Sequence, residues 1–313
     1  MSRRKKKKNN RWLMFAVVLM WLAGVLLVQN FLTGDGLRGA ASNLSGAFQE
    51  GSRLEVHYLD VGQGDATLLV CDGHAMLIDA GDNSQGIRIQ AYLKNQGITS
   101  LDYVIGTHPD ADHIGGLDVI LYKFDCDTVI MPDYEKDTAT YRDVRMVMRQ
   151  KGYSQTLPEV GEVYTLGGAA FTIAAPNQRY ENSANDNSVA ILLQHGENRF
   201  LFTGDAEEDS ETDMLKNGMD LSADVYKAAH HGSKTANSEA FMEAVSPSYV
   251  VISCGEDNRY GHPHAEVMNR LREMGIQIFR TDTQGTIVAS SDGKRIGFNV
   301  PPDEDWIAGE PKN

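Results

Sequence analysis

The chain has little cysteine. Its 313 residues include three, Cys71, Cys126 and Cys254, each inside an apolar, strand-like stretch. So few scattered thiols favour small buried hydrophobic residues over a disulfide framework. No cysteine closely follows the long apolar run near the N-terminus, which argues against a lipid-anchored protein.

Positive charge is scarce after residue 11. Of 29 Lys and Arg, seven lie in residues 1–11, which leaves 22 against 43 Asp and Glu in the rest of the chain. This body contains no basic run, whereas proteins that grip nucleic-acid backbones usually carry a clustered basic footprint. Because an acidic body repels polyanions on average, the charge weakens a DNA substrate without excluding it and favours a small or neutral one.

The N-terminus predicts a membrane anchor. A basic tail, residues 1–11, precedes seventeen uninterrupted apolar residues from Trp12 to Val28, and no charge follows until Asp35. Residues 12–32, at about 1.5 Å each, match the roughly 30 Å of a bilayer core. Positive charge before the segment keeps the N-terminus in the cytoplasm, so we expect a single-pass protein with its remaining residues outside the cell.

A cleaved signal peptide is the alternative, because small residues follow at Gly39-Ala40-Ala41. The chain would then be secreted. The apolar run, however, exceeds the roughly 7 to 15 residues usual for such a signal. We therefore favour the uncleaved anchor.

One catalytic domain is expected after the anchor. Residues 33–52 are rich in Gly, Ala, Ser and Asn and suit a flexible linker. Residues 53–300 alternate short apolar strands with amphipathic helices, a pattern typical of a layered α/β domain, and residues 301–313 form a C-terminal tail. We predict strands at 54–59, 66–71, 75–78, 101–106, 170–174, 189–194, 199–203, 224–228 and 249–253, and helices at 87–95, from 114 onward, and at 141–150, 207–216, 238–244 and 265–274.

The segment Thr-His-Pro-Asp-Ala-Asp-His-Ile-Gly-Gly carries the strongest functional signal. His108, Asp110, Asp112 and His113 are four metal-ligand side chains within six residues, directly after a predicted strand. A structural interpretation makes Asp112 a helix cap. Capping leaves the second carboxylate and both imidazoles unexplained, so the segment predicts a binding site for two metal ions.

Two later strand ends carry further candidates. Phe200-Leu201-Phe202-Thr203-Gly204 ends in Asp205, which is either a helix N-cap or a ligand. A second strand leads into His230-His231-Gly232-Ser233-Lys234. Adjacent histidines point in different directions, so we expect only one of the two to be a ligand.

The first motif resembles the signature of the metallo-β-lactamase superfamily, His-x-His-x-Asp-His, with Asp110 where the second His is expected. Together with Thr-Gly-Asp-Ala-Glu and His-His-Gly-Ser-Lys, this variant is similar to the soluble domain of the ComEC family of competence proteins. The resemblance implies a four-layer αββα sandwich that holds two divalent ions, zinc or manganese, with Asp205 bridging them. It favours His231 as the last ligand. The implied metal ligands are His108, Asp110, Asp112, His113, Asp205 and His231.

Many superfamily members have a further ligand histidine between the first motif and the bridging Asp. The only histidine in that stretch is His195, in a predicted hairpin, and we expect no ligand from it. The equivalent position falls in Asn185-Asp186-Asn187-Ser188, so Asn187 or water is expected to complete the weaker metal site.

The resemblance also suggests roles outside the metal shell. The glycine-rich turn at Gln63-Gly64-Asp65 is either an anion cradle or a plain tight turn, and His262 precedes a helix that Pro263 can start. The implied catalytic residues are Asp112, His230 and His262. The implied substrate-binding residues are Gln63, Asp65, Asn187, Ser233 and Lys234.

The implied function is a membrane-anchored, exported hydrolase of phosphodiesters, with DNA as the substrate that the ComEC resemblance suggests. A complete DNA transporter is not expected, because a single anchor cannot form a pore. One alternative is a hydrolase of cell-wall phosphodiesters or of lactones, and another is a noncatalytic metal-binding surface domain. No obligate protein partner is evident from the sequence.

Overall fold

A computed structural model describes residues 51–310 of the chain. The predicted basic tail, the membrane anchor and residues 33–50 of the linker lie outside the described residues. Within residues 51–310 no helix is both long enough and apolar enough to span a bilayer.

The described residues form two mixed sheets. In chain order the strands are β1 (Leu54–Tyr58), β2 (Thr67–Cys71), β3 (His74–Ile78), β4 (Ser100–Ile105), β5 (Asp125–Ile130), β6 (Gln155–Thr156), β7 (Val163–Leu166), β8 (Ala169–Ala175), β9 (Ala190–His195), β10 (Asn198–Phe202), β11 (Val225–Lys227), β12 (Tyr249–Ile252), β13 (Gln277–Arg280), β14 (Ile287–Ser291) and β15 (Ile296–Phe298). The first sheet has the order β15-β14-β1-β2-β3-β4-β5-β6, and the second has the order β13-β12-β11-β10-β9-β8-β7.

Helices connect these strands. They are α1 (Gly86–Asn95), α2 (Ala111–Ile114), α3 (Leu117–Lys123), α4 (Ala139–Lys151), α5 (Glu208–Lys216), α6 (Glu239–Val245), α7 (Ala265–Glu273) and α8 (Thr281–Gln284), with 3₁₀ turns at Asn185–Asn187 and Ala229–Gly232.

Three apolar clusters hold the layers together. Val56 and Leu69 of the first sheet pack against Phe171 and Phe200 of the second, in a core between the sheets. Alternate residues of the same strands, such as Leu68, face the opposite way, because successive side chains of a strand point to opposite faces. Helices α1, α3 and α4 cover this outer face of the first sheet. Helices α5, α6 and α7 cover the second sheet, so the α/β fold with two sheets that the family resemblance implies is confirmed.

Strand direction sets the position of the site. Strands β3, β4 and β5 run parallel in the first sheet, and β10 to β13 run parallel in the second. The carboxyl ends of parallel strands lie at one edge of a sheet, where open α/β folds usually bind ligands. All three predicted ligand segments follow the carboxyl end of such a strand.

The helix predicted from Ile114 onward begins earlier and is split. Helix α2 starts at Ala111, so Asp112 and His113 lie on a helix and not in a turn. A second helix, α3, begins after Gly115-Gly116. A Cβ at Gly116 would lie 2.4 Å from the carbonyl oxygen of Ala80, so the chain bends where only glycine allows this close approach.

The segment predicted as a C-terminal tail contacts the domain. The amide of Asp303 donates to the carbonyl of Ile278 over 2.8 Å, and that of Gly309 donates to the carbonyl of Pro263 over 2.8 Å. All three cysteines are buried and free, which confirms their assignment as small core residues.

Candidate metal centre

Five side chains from four segments converge at the shared edge of the two sheets. His108 follows β4, Asp112 and His113 lie on α2, Asp205 follows β10, and His231 lies in the 3₁₀ turn after β11. Three of the histidines and Asp205 are at least nine-tenths buried. The three motifs that the sequence singles out therefore meet in one place.

The ligand atoms of this cluster lie close together. Asp205 Oδ2 is 3.2 Å from His113 Nε2 and 3.5 Å from His231 Nε2. Asp112 Oδ2 is 3.6 Å from His231 Nε2. The ring centroids of His108 and His113 are 4.1 Å apart. Ligand atoms within 4.8 Å of one another occur in the sets His108–His113–Asp205, Asp112–His113–His231, Asp65–Asp205–His231 and Asp65–Asp79–His113.

Several atoms of the cluster are buried without a hydrogen-bond partner. They are the Nε2 atoms of His108, His113 and His231 and the Oδ1 atoms of Asp65 and Asp205. A buried polar atom without a partner costs about 1–3 kcal/mol. Five such atoms, on side chains that belong to overlapping sets of close ligands, fit a site whose ligand is a cation.

The contacts of Nδ1 determine which ring nitrogen can bind a metal. His113 Nδ1 donates to Asp79 Oδ2 over 2.8 Å, and His231 Nδ1 donates to the carbonyl of Ser253 over 2.9 Å. Carboxylate and carbonyl oxygens only accept, so Nδ1 carries the hydrogen and Nε2 is available as a ligand. The Thr107 hydroxyl, 2.7 Å from Asp79 Oδ2, donates there and can accept from His108 Nδ1 at 3.2 Å.

The electrostatics of the cluster favour positive charge on His113 and His231 but not on His108. Burial and the neighbouring His113 lower the pKa of His108 to about 4. Burial also opposes protonation of His113 and His231, but Asp205 and the other carboxylates raise both pKa values, that of His231 to about 10. A divalent ion would compete with these protons for the same nitrogens, which makes metal affinity depend on pH.

Asp79 is a functional candidate that the sequence analysis missed. It is 1% exposed and accepts from the Thr107 amide over 2.8 Å as well as from the Thr107 hydroxyl and His113. Asp79 thereby orients His113 and Thr107, the residue before His108. The available signal was an apolar strand that ends in Asp-Ala-Gly, the same kind of pattern that identified Asp205.

Lys227 is the second missed residue. Its ammonium forms a buried ion pair with Asp65, a predicted substrate-binding residue. Burial raises the pKa of Asp65, but Lys227 and His231 lower it to about 2 overall. A Cβ at Gly64 would lie 2.4 Å from the carbonyl oxygen of Asp112. Glycine there lets the turn approach α2 closely enough to place Asp65 beneath the cluster.

Two predicted residues point away from the cluster. Asp110 forms a 2.6 Å ion pair with Lys136 and belongs to none of the close ligand sets among residues 51–310. Both ends of the Asn187 amide are engaged: Nδ2 donates to the carbonyls of Tyr180 and Ser183, and Oδ1 accepts from the Tyr180 amide. Its neighbour Ser188 instead faces the site, where its hydroxyl accepts from the Asp205 amide over 3.1 Å.

The adjacent histidines diverge. Both have left-handed backbone angles, with φ of 47° for His230 and 55° for His231, which are uncommon outside glycine and often mark functional sites. His231 points into the cluster. His230 is less buried, lies 3.8 Å from Asp205 through Nε2, and contacts Glu207 through Nδ1 at 3.0 Å.

His262 lies beside the cluster on the loop before α7. Its ring centroid is 5.3 Å from that of His230 and 5.9 Å from that of His231. The Gly255 amide donates to Gln63 Oε1 over 3.2 Å, which turns Gln63 Nε2 toward His262 Nδ1 at 3.4 Å. Nδ1 therefore accepts, and Nε2 carries the hydrogen. Burial and the neighbouring His231 and His230 lower the pKa of His262 to about 3, so the ring is a neutral donor near pH 7.

The remaining predicted residues, Ser233 and Lys234, follow the 3₁₀ turn that carries His231. The Ser233 hydroxyl is buried and lies 3.0 Å from the Thr235 hydroxyl. Lys234 is exposed, and its amide donates to His264 Nδ1 over 3.0 Å. His264 is the N-cap residue of α7, so Pro263 precedes this helix and does not occupy its first turn.

Comparison with known proteins agrees with this geometry. The family model "Metallo-beta-lactamase superfamily" matches residues 59–256. The chain is 29% identical to ComE operon protein 3 of Bacillus subtilis, over 81% of this chain and 35% of that protein. It is 33% identical to Recombination protein 2 of Haemophilus influenzae, over 74% of this chain and 28% of that protein. The chain thus spans about a third of the length of these curated relatives.

A solved structure shares the fold. The metallo-beta-lactamase fold protein YhfI from Bacillus subtilis superposes with a TM-score of 0.50, covering 75% of this chain and 98% of that one, at 10% identity. At so low an identity the likeness concerns the fold alone.

Proposed function

Since this chain belongs to the metallo-β-lactamase superfamily and is homologous to competence proteins of the ComEC family, we propose that it is a metal-dependent phosphodiesterase. Two divalent ions, an N-terminal membrane anchor and an extracellular domain are parts of the proposal. One observation carries it: five buried atoms without hydrogen-bond partners lie on side chains that form overlapping sets of close ligands, and Nδ1 contacts orient the rings of His113 and His231.

The side chains suggest two unequal ion sites. Asp112, His113 and His231 would hold one ion, with Asp205 as a shared ligand. His108 and Asp205 would hold the other. Asp110 could join that site only by leaving Lys136, so we expect it to be the weaker of the two. Mixed imidazole and carboxylate ligands suit zinc and also manganese.

When bound, such ions lower the pKa of a bound water toward neutrality and offset negative charge on the attacked group. The protein supplies the remaining functions. Asp112, whose side chain is 33% exposed, can accept a proton from an incoming water. His262 presents Nε2–H as a hydrogen-bond donor to a substrate oxygen, and its burial beside the cluster excludes bulk water from that face.

The substrate class is supported from two directions. Two relatives, Recombination protein 2 of Haemophilus influenzae and Competence protein ComA of Neisseria gonorrhoeae, have names that refer to recombination and competence, processes that involve DNA. A neutral hydrogen-bond donor beside a cation site also suits a phosphodiester, which carries one negative charge. The acidic body favours short or single-stranded substrates over long duplexes, because repulsion from the polyanion grows with its charge.

The membrane anchor rests on the sequence: the basic tail, residues 1–11, and the apolar run, residues 12–32. Protease added outside intact cells should digest the body and leave the first residues protected. Full protection of the chain would place the domain in the cytoplasm.

The enzymatic test uses the purified full-length chain with bis(p-nitrophenyl) phosphate, single-stranded DNA and a lactone, each with zinc or manganese. We expect phosphodiester hydrolysis that a chelator abolishes and that Asp205→Ala lacks. Hydrolysis of the lactone but of neither phosphodiester would show that the substrate class is lactones and not phosphodiesters. Metal binding without turnover of any substrate would favour a noncatalytic surface domain.

A further inference from the structure

The rings beside the metal centre continue outward to the protein surface. His231 and His262 lie 5.9 Å apart with their planes inclined by 30°. His262 and Tyr260 follow at 5.5 Å and 18°. The guanidinium carbon of Arg259 then lies 4.7 Å from the Tyr260 ring centroid. This series of flat groups leads from a candidate metal ligand to Tyr260, which is 44% exposed.

The loop that carries Tyr260 is held in place by Asn258. The Asn258 amide donates to the carbonyls of Gly255 and His262 over 2.9 and 2.6 Å, and its oxygen accepts from the amides of Tyr260 and His262. Asn258 is buried. An exposed aromatic ring on a braced loop is pre-organised, so its use in binding would cost little ordering of the chain.

Arg259 supplies positive charge at this position. Among residues 51–310 it has no carboxylate partner within ion-pairing distance, and its contact is the Tyr260 side chain. It is nevertheless near enough to Asp112 for the two charges to interact. An unpaired guanidinium beside the centre of an acidic protein is suited to hold an anion there.

We propose that Tyr260 and Arg259 form a subsite for the nucleoside unit next to the scissile linkage, in which the base replaces the exposed Arg259 guanidinium over the Tyr260 ring and the guanidinium turns to a neighbouring phosphate. This inference rests on the proposed phosphodiesterase function. Aromatic rings accept every base, because each base has a flat face. The subsite would therefore select nucleotide over simple alkyl phosphodiesters without selecting a sequence.

The test compares two substrates with the same leaving group: thymidine 5′-(p-nitrophenyl phosphate) and methyl p-nitrophenyl phosphate. The ratio of their kcat/KM values isolates the contribution of the nucleoside. Tyr260→Ala in the full-length chain should lower this ratio about 10- to 100-fold, the range expected for one base stacked on one aromatic ring. Tyr260→Phe keeps the ring and should retain the ratio.

Tyr122 provides a matched control, since it is 56% exposed and Lys123 lies 5.2 Å from its ring centroid at the far end of α3. Tyr122→Ala should leave the ratio unchanged. Arg259→Gln tests the phosphate contact: it should reduce the advantage that a 3′-phosphate on the thymidine substrate gives the wild-type chain.

The outcomes are distinct. Hydrolysis with the same ratio in Tyr260→Ala and wild type overturns the subsite and leaves the phosphodiesterase intact. An equal fall of the ratio in Tyr122→Ala also overturns it. If the wild-type chain hydrolyses neither substrate, the proposed function fails, and the subsite fails with it.

Discussion

Replacement of Lys227 by Met should destabilise the domain strongly. Lys227 and its partner Asp65 are 3% and 4% exposed, and the variant leaves the carboxylate buried without its counter-charge. Removing one partner of a buried ion pair costs about 3–5 kcal/mol. Methionine occupies a similar volume, so the cost is electrostatic and not that of a cavity. At about 2–4 °C per kcal/mol for a domain of this size, Tm should fall by about 6–20 °C.

Added metal should recover part of this loss. Asp65 lies 3.5 Å from His231 and 3.8 Å from His113. Ions at the proposed centre would therefore partly neutralise the Asp65 carboxylate, which has lost its lysine partner. Thermal melts of Lys227→Met with a chelator and with zinc or manganese measure this difference. Lys216→Met is the control, because its ion pair with Asp213 is 70% exposed on the lysine side and is worth less than about 1 kcal/mol.

The double variant Lys227→Met/Asp65→Asn separates charge from packing. It removes both charges, so it should be more stable than Lys227→Met alone under metal-free conditions. Two results would refute the argument: a Tm of Lys227→Met within about 2 °C of that of Lys216→Met, or a double variant no more stable than the single one.

Four further variants probe the centre and the opposite edge of the sheets. Asp205→Ala should lower metal occupancy at both sites, and elemental analysis that finds no metal in the wild-type chain after reconstitution would contradict the dinuclear hypothesis. Asp79→Asn should weaken metal binding about 10- to 100-fold, because the amide disturbs the contact that orients His113; an unchanged affinity by titration would remove that role. His262→Ala should reduce turnover about 10²- to 10⁴-fold with little change in metal content, whereas loss of metal would make it a ligand or a fold determinant. Burial lowers the pKa of His195, although Asp72 and Asp292 oppose this. The neutral imidazole therefore contributes fully to the free energy of unfolding above the unfolded pKa of about 6.5, and this contribution is lost as pH falls below that value. In chemical denaturation, the free energy of unfolding of His195→Asn should decline less steeply with falling pH than that of the wild type, and an identical pH profile would exclude the contribution.

The strands that lead to the site could be predicted because each is an apolar run that ends abruptly in ligand residues. Strands β5 and β13 gave no such signal. In β5, Asp125 and Asp127 interrupt the apolar pattern, and in β13 polar Gln277 and Arg280 flank only two apolar residues. Strand β6 has two residues, and β15 has three with a glycine in the middle. Short strands owe their conformation to pairing with neighbours, which local sequence does not encode.

The residues that face the centre could be identified from the sequence, whereas the residues that hydrogen-bond or ion-pair with them could not. His108, Asp112 and His113 lie within six residues, and spacing alone brings them together. Asp65 and Lys227 are 162 positions apart, and Asp79 and His113 are 34 apart. Such pairs are created by the meeting of two sheets. Asp110 shows the converse: its spacing suggests a ligand, but the start of α2 at Ala111 turns its side chain toward Lys136.

The choice between His230 and His231 depends on the neighbouring strand. Both residues have nearly the same left-handed backbone, so the local chain does not distinguish them. The carbonyl of Ser253, which follows β12, accepts from His231 Nδ1 and aims Nε2 at Asp205 and Asp112. His230 meets Glu207 at the start of α5 instead.

An acidic body and a phosphodiester substrate are compatible if the charges near the centre dominate. At physiological ionic strength exposed charges are largely screened beyond about 8 Å, so most of the surface carboxylates contribute little at the mouth of the site. Exposed Arg259 interacts with Asp112, and exposed Lys234 follows the turn that carries His231. Two divalent ions would add four positive charges beside Asp65, Asp112 and Asp205. The local potential would then attract a phosphate although the body as a whole is acidic. On this argument hydrolysis should depend more steeply on bound metal than on ionic strength, and a chelator should weaken substrate binding as well as turnover.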